Sequence, residues 1–224
     1  MKREIIVTSD GSTTIQLPDW NEQYHSKHGA IQEADHVFLK HGLNYFLEKK
    51  ALSELAILEI GFGTGLNAFM TFLATKNSGV KVSYEGVEAY PVALEEVKQM
   101  NYVAELEAMD FKHVFHSMHA IEWGKSNPIS DHFSLHKRKQ FFKDIEDVNQ
   151  FDIIYFDAFG ARNQPELWTE VIFQKMINAL KSQGVLVTYS AKGSVRRAMQ
   201  AVGFSVERLP GPPGKREMLR ATKP

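Results

Sequence analysis

Three glycines at alternate positions, Gly61, Gly63 and Gly65, follow directly on the apolar run at 56–60. A chain that leaves a strand and turns at once into a helix needs residues that tolerate unusual φ values and let the backbone approach a ligand. The free N–H groups at the start of such a helix suit a carboxylate or a phosphate. The pattern therefore predicts a strand, a turn and a helix of an α/β sheet, arranged to hold a nucleotide-type cofactor.

The spacing of the glycines bears on which cofactor this is. A dinucleotide-binding turn carries its third glycine one position later, where this chain has Leu66. Glu59, at the end of the predicted strand, is placed to meet a cationic group, and S-adenosylmethionine carries both an ammonium and a carboxylate. We therefore expect S-adenosylmethionine rather than NAD, and we include Asn67, at the start of the helix, among its binding residues.

A second acidic residue, Glu88, ends the next predicted strand, at 80–88. In a doubly wound sheet this position carries the carboxylate that binds the ribose hydroxyls. Pro91, just behind it, favours the start of a helix. Glu88 is therefore expected to bind the cofactor. The alternatives are an ordinary charged residue at a strand end, or Glu85 in the same role.

The strand predicted at 133–142 also ends at the cofactor edge of the sheet. Asp144 follows it and can bond the exocyclic amine of adenine, with Glu146 and Asp147 as nearby rivals. Asp144 is expected to be the third acidic residue of the cofactor site.

The run at 151–160 predicts a buried strand that delivers Asp157 and Phe159 to the carboxyl edge of the sheet, beside the glycine turn. Ligands of open α/β sheets bind at that edge. Asp157 there can accept a proton from an amine nucleophile, or orient it for attack on a sulfonium methyl group. Phe159 can stack on a base or on the adenine ring. The alternative is that Asp157 caps the following helix, but that helix is expected to begin only around Pro165.

The predicted elements alternate between strands and helices, which favours an α/β sheet. Strands are expected at 56–60, 80–88, 133–142, 151–157, 184–190, 203–209 and 216–222, and helices at 65–76, 91–100, 111–122, 165–181 and 193–202. Only the loop 209–214 separates the last two strands, so they form a hairpin with an antiparallel final strand. A Rossmann-like sheet of seven strands, mostly parallel with an antiparallel last strand, is the architecture of class I S-adenosylmethionine-dependent methyltransferases.

The 224 residues are expected to form a single globular unit, because no linker rich in proline or serine divides them. Residues 51–224 form the predicted methyltransferase domain. Residues 1–50 form an N-terminal extension packed on it, with a strand pair at 3–17 and a helix near 33–48. No apolar run approaches the roughly 18 residues that span a membrane, and no signal peptide is evident. We therefore expect a cytoplasmic protein without a membrane partner.

The chain has no cysteine and nine histidines. Disulfides and thiolate metal sites are therefore excluded. His113, His116 and His119 recur at three-residue spacing on a predicted helix, which indicates a polar helix face more often than a metal site. No metal cofactor is expected. No serine stands in a G-x-S-x-G elbow, which argues against the commonest kind of hydrolase.

The net charge of −1 hides local clusters of basic residues. Two of them are candidates for binding the phosphate groups of a nucleic acid, and they contain Lys192, Arg196, Arg197, Lys215 and Arg216. A third, at 136–139, lies in an extended segment. Each cluster alone is more often a solvated face. Together, near the cofactor edge, they predict an RNA-binding surface.

Several motifs make the chain resemble the MnmC-type tRNA methyltransferase family. They lie at 24–33, 59–67, 87–91, 157–159, 164–168, 195–197, 201–204 and 214–219, so the resemblance covers nearly the whole chain. The last motif is the most specific, because a generic methyltransferase has no reason to carry it. The family's usual Asp-Gly-Phe appears here as Asp157, Ala158 and Phe159, a change that leaves the cofactor chemistry intact.

The resemblance implies an activity. The family methylates the aminomethyl group of 5-aminomethyl-2-thiouridine at the wobble position of certain tRNAs, with S-adenosylmethionine as the methyl donor. The resemblance also implies which residues hold the cofactor, namely Glu59, Gly61, Gly63, Gly65, Glu88 and Asp144. Asp157 is implied to act on the substrate amine, and tRNA is the implied partner.

Longer members of the family fuse the methyltransferase to an FAD-dependent oxidase that first removes a carboxymethyl group. This chain has no second glycine fingerprint, so we expect a stand-alone methyltransferase that depends on a separate oxidase or another source of aminomethyl-modified tRNA. The alternatives are a methyltransferase for a different amine, an NAD-dependent oxidoreductase and a non-catalytic RNA-binding module. The sequence leaves open whether residues 20–40 form a lid, in which Tyr24 and Glu33 would close over the cofactor.

Overall fold

Eleven strands in two sheets are present in the computed structural model, which describes residues 2–50 and 52–224. The strands are β1 (Glu4–Val7), β2 (Thr13–Leu17), β3 (Glu22–Gln23), β4 (Glu54–Ile60), β5 (Lys81–Val87), β6 (Ser126–Ser130), β7 (Phe133–Arg138), β8 (Phe151–Phe156), β9 (Leu180–Thr188), β10 (Ser205–Pro210) and β11 (Glu217–Thr222). The first three form a small antiparallel sheet. The other eight form the main sheet, in the order β10-β11-β9-β8-β4-β5-β7-β6.

Five neighbouring strands of the main sheet, from β9 to β7, run parallel. β11 inserts antiparallel between β9 and β10, as the predicted hairpin requires. All seven predicted strands are present. An eighth, β6, pairs antiparallel with β7 at the edge of the sheet. Its sequence lacks an apolar alternation and contains Pro128, a residue that edge strands tolerate because one side of the strand needs no hydrogen bond.

The helices pack on both faces of the main sheet. Three helical segments, Ala30–Ala34, Asp35–Asn44 and Tyr45–Lys49, follow without a break and form α1, whose middle part has the wider turns of a π-helix. The others are α2 (Leu66–Thr75), α3 (Leu94–Val97), α4 (Tyr102–Glu105), α5 (Lys112–Ala120), α6 (Glu170–Ala179) and α7 (Gly193–Ala201). The helix expected at 91–100 is therefore shorter. The one expected at 165–181 is divided into a 3-10 turn, Pro165–Trp168, and α6.

The apolar run of β8 shows how the core is divided. Ile153 and Tyr155 point to the face covered by α1 and α2, and Ile154 and Phe156 point to the face covered by α6 and α7. All six residues of β8 are buried, because helices cover both faces of a parallel sheet. The chain therefore leaves the buried part of the sheet only at the carboxyl end of β8. Asp157 is the first residue after that end.

The small sheet β1–β3 packs beside α3 and α4. Arg3 reaches the carboxylate of Glu96 at 2.9 Å and the carbonyl of Tyr90 at 3.1 Å. The backbone N–H of Thr13 donates to Asn101 at 2.8 Å. The division of the chain after residue 50 stays a prediction, and Met1 and Ala51, the first residues of the two predicted parts, lie outside the described residues. Within those described, no helix has the length and apolar character needed to cross a membrane.

Candidate functional site

A cavity of about 870 Å³ opens at the carboxyl ends of β4, β5 and β8. This is the edge at which open α/β sheets bind their ligands. Seven of the residues expected to act at the site line it: Glu59, Gly61, Gly63, Asn67, Glu88, Asp157 and Phe159. These seven residues therefore lie around one cavity, and their roles in binding and catalysis stay predictions.

The glycine turn forms part of the cavity wall and packs closely against neighbouring residues. Gly61 has a φ of +93°, and a Cβ there would lie 2.7 Å from the carbonyl oxygen of Asp157. Gly63 has a φ of +49°, and a Cβ there would lie 3.1 Å from the Tyr24 ring. Both positions therefore need glycine for their backbone conformation and for space. Gly65, just before α2, is not among the lining residues: a Cβ there would meet His119 Nε2 at 2.8 Å.

One amide joins two carboxylates at the centre of the site. Asn67 Nδ2 donates to Glu59 Oε1 at 2.8 Å and to Asp157 Oδ2 at 2.9 Å. Glu59 is 1% exposed, and burial raises its pKa well above the ordinary value. Two buried oxygens, Glu59 Oε2 and Asn67 Oδ1, have no hydrogen-bond partner within the described part of the chain. Such atoms are rare in folded proteins. The buried Tyr84 hydroxyl is likewise without a partner there, and its interaction with Glu59 lowers the pKa of that carboxyl.

Asp157 has the environment of a general base. Burial raises its pKa to about 7, with a further contribution from the nearby Glu33 carboxylate, while the bond from Asn67 acts in the opposite direction. Because its carboxylate also lines the cavity, a bound amine can reach it. A carboxylate with a pKa near neutrality can accept and release a proton under physiological conditions.

Glu88 follows β5 and is hydrogen bonded to the glycine turn. Its carboxylate accepts the N–H of Gly63 at 3.2 Å and the N–H of Tyr90 at 2.8 Å. Burial raises its pKa. The rival acid Glu85 pairs instead with Arg138 at 2.9 Å, and the ribose-binding role of Glu88 stays a prediction.

Asp144 lies at the end of a short 3-10 turn, Phe142–Asp144, and is exposed. It does not line the cavity, whereas its neighbours Phe142 and Lys143 do. Its rival Asp147 is bonded to Arg138 at 2.7 Å. The expected bond between Asp144 and adenine therefore stays a prediction, from a position outside the cavity wall.

Aromatic side chains surround the mouth of the cavity. Phe159 packs edge-to-face with Tyr24, with ring centroids 5.0 Å apart, and with Trp20 at 6.2 Å. On the other side, Tyr90 and Phe141 lie 6.1 Å apart and are 65% and 49% exposed. The sequence analysis did not identify Trp20, Tyr90 or Phe141. Tyr90 follows two residues after Glu88, but only the fold shows that its ring remains exposed.

The predicted RNA-binding residues fall into two groups. Lys192, Arg197 and Arg216 are exposed and Arg196 is half-buried, so they remain accessible on α7 and on the hairpin loop. Lys215 differs, because its Nζ pairs with Glu33 and lies 3.9 Å from the centroid of the Tyr189 ring. It is half-buried and already paired, and its expected role in binding phosphate stays a prediction.

The described residues include no group of three or more histidine, aspartate or glutamate side chains arranged to hold a metal ion. Of the three spaced histidines, His119 is half-buried and packs against Phe62 and Phe115. Lys137, from the third basic cluster, is buried and donates to the carbonyl of His119 at 2.7 Å.

Residues 125–224 match the family described as S-adenosyl-L-methionine-dependent methyltransferase. The chain is 29% identical over 247 residues to the tRNA 5-methylaminomethyl-2-thiouridine biosynthesis bifunctional protein MnmC of Cupriavidus metallidurans, covering 97% of this chain and 33% of that protein. The MnmC protein of a Marinomonas species is 31% identical over 215 residues, covering 89% of this chain and 31% of that protein. The chain thus spans about one third of the length of these curated relatives.

Two solved structures resemble the fold along its whole length. MnmC2 from Aquifex aeolicus has a TM-score of 0.74 and 25% identity, covering 100% of this chain and 72% of that one. Spermidine synthase from Thermotoga maritima has a TM-score of 0.61 and 15% identity, covering 99% and 68%, and shows the fold alone. The resemblance inferred from the sequence and the class I methyltransferase fold are confirmed by these similarities. The expected cofactor agrees with the description of the matched family.

Proposed function

We propose that this chain is an S-adenosylmethionine-dependent N-methyltransferase that methylates the aminomethyl group of wobble 5-aminomethyl-2-thiouridine in tRNA. The observation that carries the proposal is the hydrogen-bonded series Glu59, Asn67 and Asp157, which lines a cavity beside the glycine turn. The name of the MnmC relatives supports tRNA as the substrate. The description of the matched family supports the cofactor.

The residues of the cavity fit S-adenosylmethionine. The buried, unpartnered oxygen of Glu59 suits an ammonium group. Gly61 and Gly63 let the backbone approach the ligand, as their missing side chains allow. Glu88, at the end of β5, is in the position that binds ribose hydroxyls in this fold class, and Phe159 offers a ring face or edge to a base.

Asp157 would prepare the acceptor amine. S-adenosylmethionine, when bound, supplies an electrophilic methyl group on its sulfonium. An alkylamine that resembles lysine keeps its proton up to about pH 10, so it must lose that proton before it attacks. Asp157, with a pKa of about 7, can receive it, while Asn67 holds the carboxylate in one orientation. Alignment of the two reactants provides much of the remaining acceleration.

The aromatic mouth and the basic residues would serve the RNA. A wobble base turned out of the anticodon loop can stack on exposed rings such as Trp20, Tyr90 and Phe141. Lys192, Arg196, Arg197 and Arg216 are our candidates for phosphate contacts around it. A tRNA substrate would place the reaction in the cytoplasm, and its aminomethyl group would come from a separate oxidase or another source.

The test is transfer of a labelled methyl group from S-adenosylmethionine to tRNA from cells that lack this protein, followed by nuclease digestion. We expect the label in 5-methylaminomethyl-2-thiouridine. Asp157→Asn should abolish transfer while S-adenosylhomocysteine still binds. If the cofactor binds and no tRNA nucleoside is labelled, the tRNA assignment fails and another amine must be the acceptor.

The RNA surface is tested separately by a double substitution, Arg196→Ala with Arg197→Ala. We expect weaker tRNA binding, and a smaller dependence of the affinity on salt, because fewer counterions are released from the RNA. Lys76→Ala with Lys81→Ala is the matched control, since both lysines lie at the opposite edge of the main sheet, after α2 and at the start of β5. Equal effects of the two pairs would remove α7 from the RNA surface.

A further inference from the structure

Lys215 lies in the loop between β10 and β11 and reaches back to α1. Its Nζ pairs with the carboxylate of Glu33 and rests over the ring of Tyr189, 3.9 Å from the centroid. Glu33 is buried, and its other oxygen accepts the backbone N–H of Ser26 at 2.8 Å. The pair is therefore held on both sides by the fold and is not a loose surface contact.

This pair lies next to the proposed base. Tyr189, on which Lys215 rests, donates its hydroxyl to the carbonyl of Ala158 at 2.8 Å, and Ala158 follows Asp157 directly. After the larger effect of burial, Glu33 raises the pKa of Asp157 and Lys215 lowers it. The two charges of one pair thus act on the same carboxylate in opposite directions.

Other groups also face Asp157 from the elements packed around it. They are Glu59 of β4, Tyr84 of β5, Tyr189 after β9 and Asn67 of α2. Burial raises the pKa of Glu59 and of both tyrosines well above their ordinary values, so the tyrosines carry no charge near neutral pH. Among the described residues, Lys215 is therefore the positive charge that lowers the pKa of Asp157 and Glu33 acts against it, with Glu59 as a second acid coupled to Asp157 through Asn67.

We propose that Glu33 and Lys215 are positioning residues whose pairing keeps Asp157 between its neutral and ionised forms, ready to take a proton from the acceptor ammonium. The inference rests on the proposed function, because that function supplies the amine. The proton passes from the nitrogen to the Asp157 carboxylate, and the electron pair left on nitrogen can then attack the methyl carbon. Neither Glu33 nor Lys215 touches the reacting atoms.

Both charges are needed for this balance. With Glu33 alone, the pKa of Asp157 would rise and a smaller fraction of it would be ionised at neutral pH. With Lys215 alone, Asp157 would be ionised but a weaker base. A general base works best when its pKa lies near the working pH, and the pair holds Asp157 close to that condition.

The direct test is a carbon-13 NMR titration of the Asp157 carboxyl in the whole protein, with Asp157→Asn used to assign the signal. We expect Glu33→Gln to lower the titration midpoint by about one pH unit and Lys215→Met to raise it by about the same amount. The double variant should return to near the wild-type midpoint, and Lys215→Arg should stay there because it keeps the charge.

A purely structural role predicts a different pattern. In that case the variants would lower the melting temperature and leave the Asp157 midpoint in place, or move it in the same direction in both single variants. Either result overturns the inference. Glu217→Gln is the matched control, because it removes a carboxylate of the same hairpin that pairs with Arg208 at 3.7 Å, and it should leave the midpoint unchanged.

The kinetic counterpart separates this inference from the proposed function. If methyl transfer occurs, the acid limb of kcat should move with the NMR midpoint in each variant, with little change in KM for the cofactor. An acid limb that stays in place overturns the inference while the transferase survives. If no transfer is found with any amine, the proposed function fails, and the NMR titration still decides whether the pair sets the charge of Asp157.

Discussion

Asn67 is hydrogen bonded to two acidic side chains for which we propose different roles. Its Nδ2 donates to both carboxylates, which offsets part of their mutual repulsion. Glu59 is fully enclosed and suits a fixed cationic partner, whereas Asp157 keeps access to the cavity and can exchange a proton. Under the proposed function, a single amide thus connects the acid that binds the cofactor with the acid that takes the proton.

The raised pKa of Asp157 predicts a stability that falls with pH. The pKa moves from the ordinary value of 3.8 to about 7 on folding, so the folded protein binds this proton more tightly. The resulting stabilisation is complete below pH 3.8 and is lost as the pH rises through about 7. Between pH 5 and pH 8, Asp157→Asn should gain about 2 kcal/mol in unfolding free energy relative to wild type, measured in urea. Parallel pH curves for the two proteins would contradict this.

We expect alanine at Gly63 and alanine at Gly79 to differ in their effect on cofactor binding. Gly63→Ala introduces a Cβ at positive φ and 3.1 Å from the Tyr24 ring, whereas Gly79→Ala meets the same backbone cost with no atom within 4 Å. Both should lose about 1 kcal/mol of stability. Only Gly63→Ala should also weaken S-adenosylhomocysteine binding, by about tenfold in calorimetric titration, because Tyr24 must shift at the cavity wall. Equal affinities in the two variants would argue against a role of this turn in binding.

The small sheet β1–β3 closes one side of the cavity through a few side chains. Trp20 and Tyr24 form an aromatic part of the cavity wall, and Arg3 also lines the cavity. Arg3 ties this wall to the core through Glu96 and the carbonyl of Tyr90. The N-terminal residues therefore form part of the cavity wall and not only an addition to the sheet.

This arrangement predicts a local effect of Arg3→Ala. The pair with Glu96 is about one-fifth exposed on each side chain. A loss of about 1 kcal/mol should weaken S-adenosylhomocysteine binding about fivefold. Lys2→Ala is the control, because Lys2 pairs with Glu4 at 2.6 Å on the open surface of the same sheet. If both variants bind equally well, the extension does not support the cavity through Arg3.

The elements that the sequence predicts best are those with a strong local signal. The glycine turn, the apolar run of β8 and the hairpin of β10 and β11 follow from glycine spacing, burial on both faces and a proline-glycine loop. The sequence does not predict β6, because its five residues carry no apolar periodicity and its pairing depends on β7. The sequence does not predict the pairing of Lys215 with Glu33 either. The partners lie 182 positions apart, so no local pattern connects them.

At the scale of the whole molecule, the cavity joins parts of the protein that have separate cores. Buried side chains form one cluster on each face of the main sheet, and both contribute lining residues, such as Leu66 and Ile172. A ligand in the cavity therefore contacts the small sheet, the edge of the main sheet and α6 together. Its binding should stabilise the fold as a unit.

The consequence is a ligand-dependent melting temperature. At a concentration one hundred times its dissociation constant, S-adenosylhomocysteine should add about 2.7 kcal/mol and raise the melting temperature by about 5 to 10 °C in a calorimetric scan. NAD at the same concentration should leave the transition unchanged. A shift with NAD and none with S-adenosylhomocysteine would favour the oxidoreductase alternative.

The distance between Glu33 and Lys215 along the chain also sets an order of events during synthesis. The ribosome releases a chain from its N-terminal end, so the glycine turn and Glu33 emerge long before the hairpin that carries Lys215. Until then, Glu33 has no Lys215 with which to pair. The pair can therefore form only at a late stage of synthesis, when the final hairpin docks against α1.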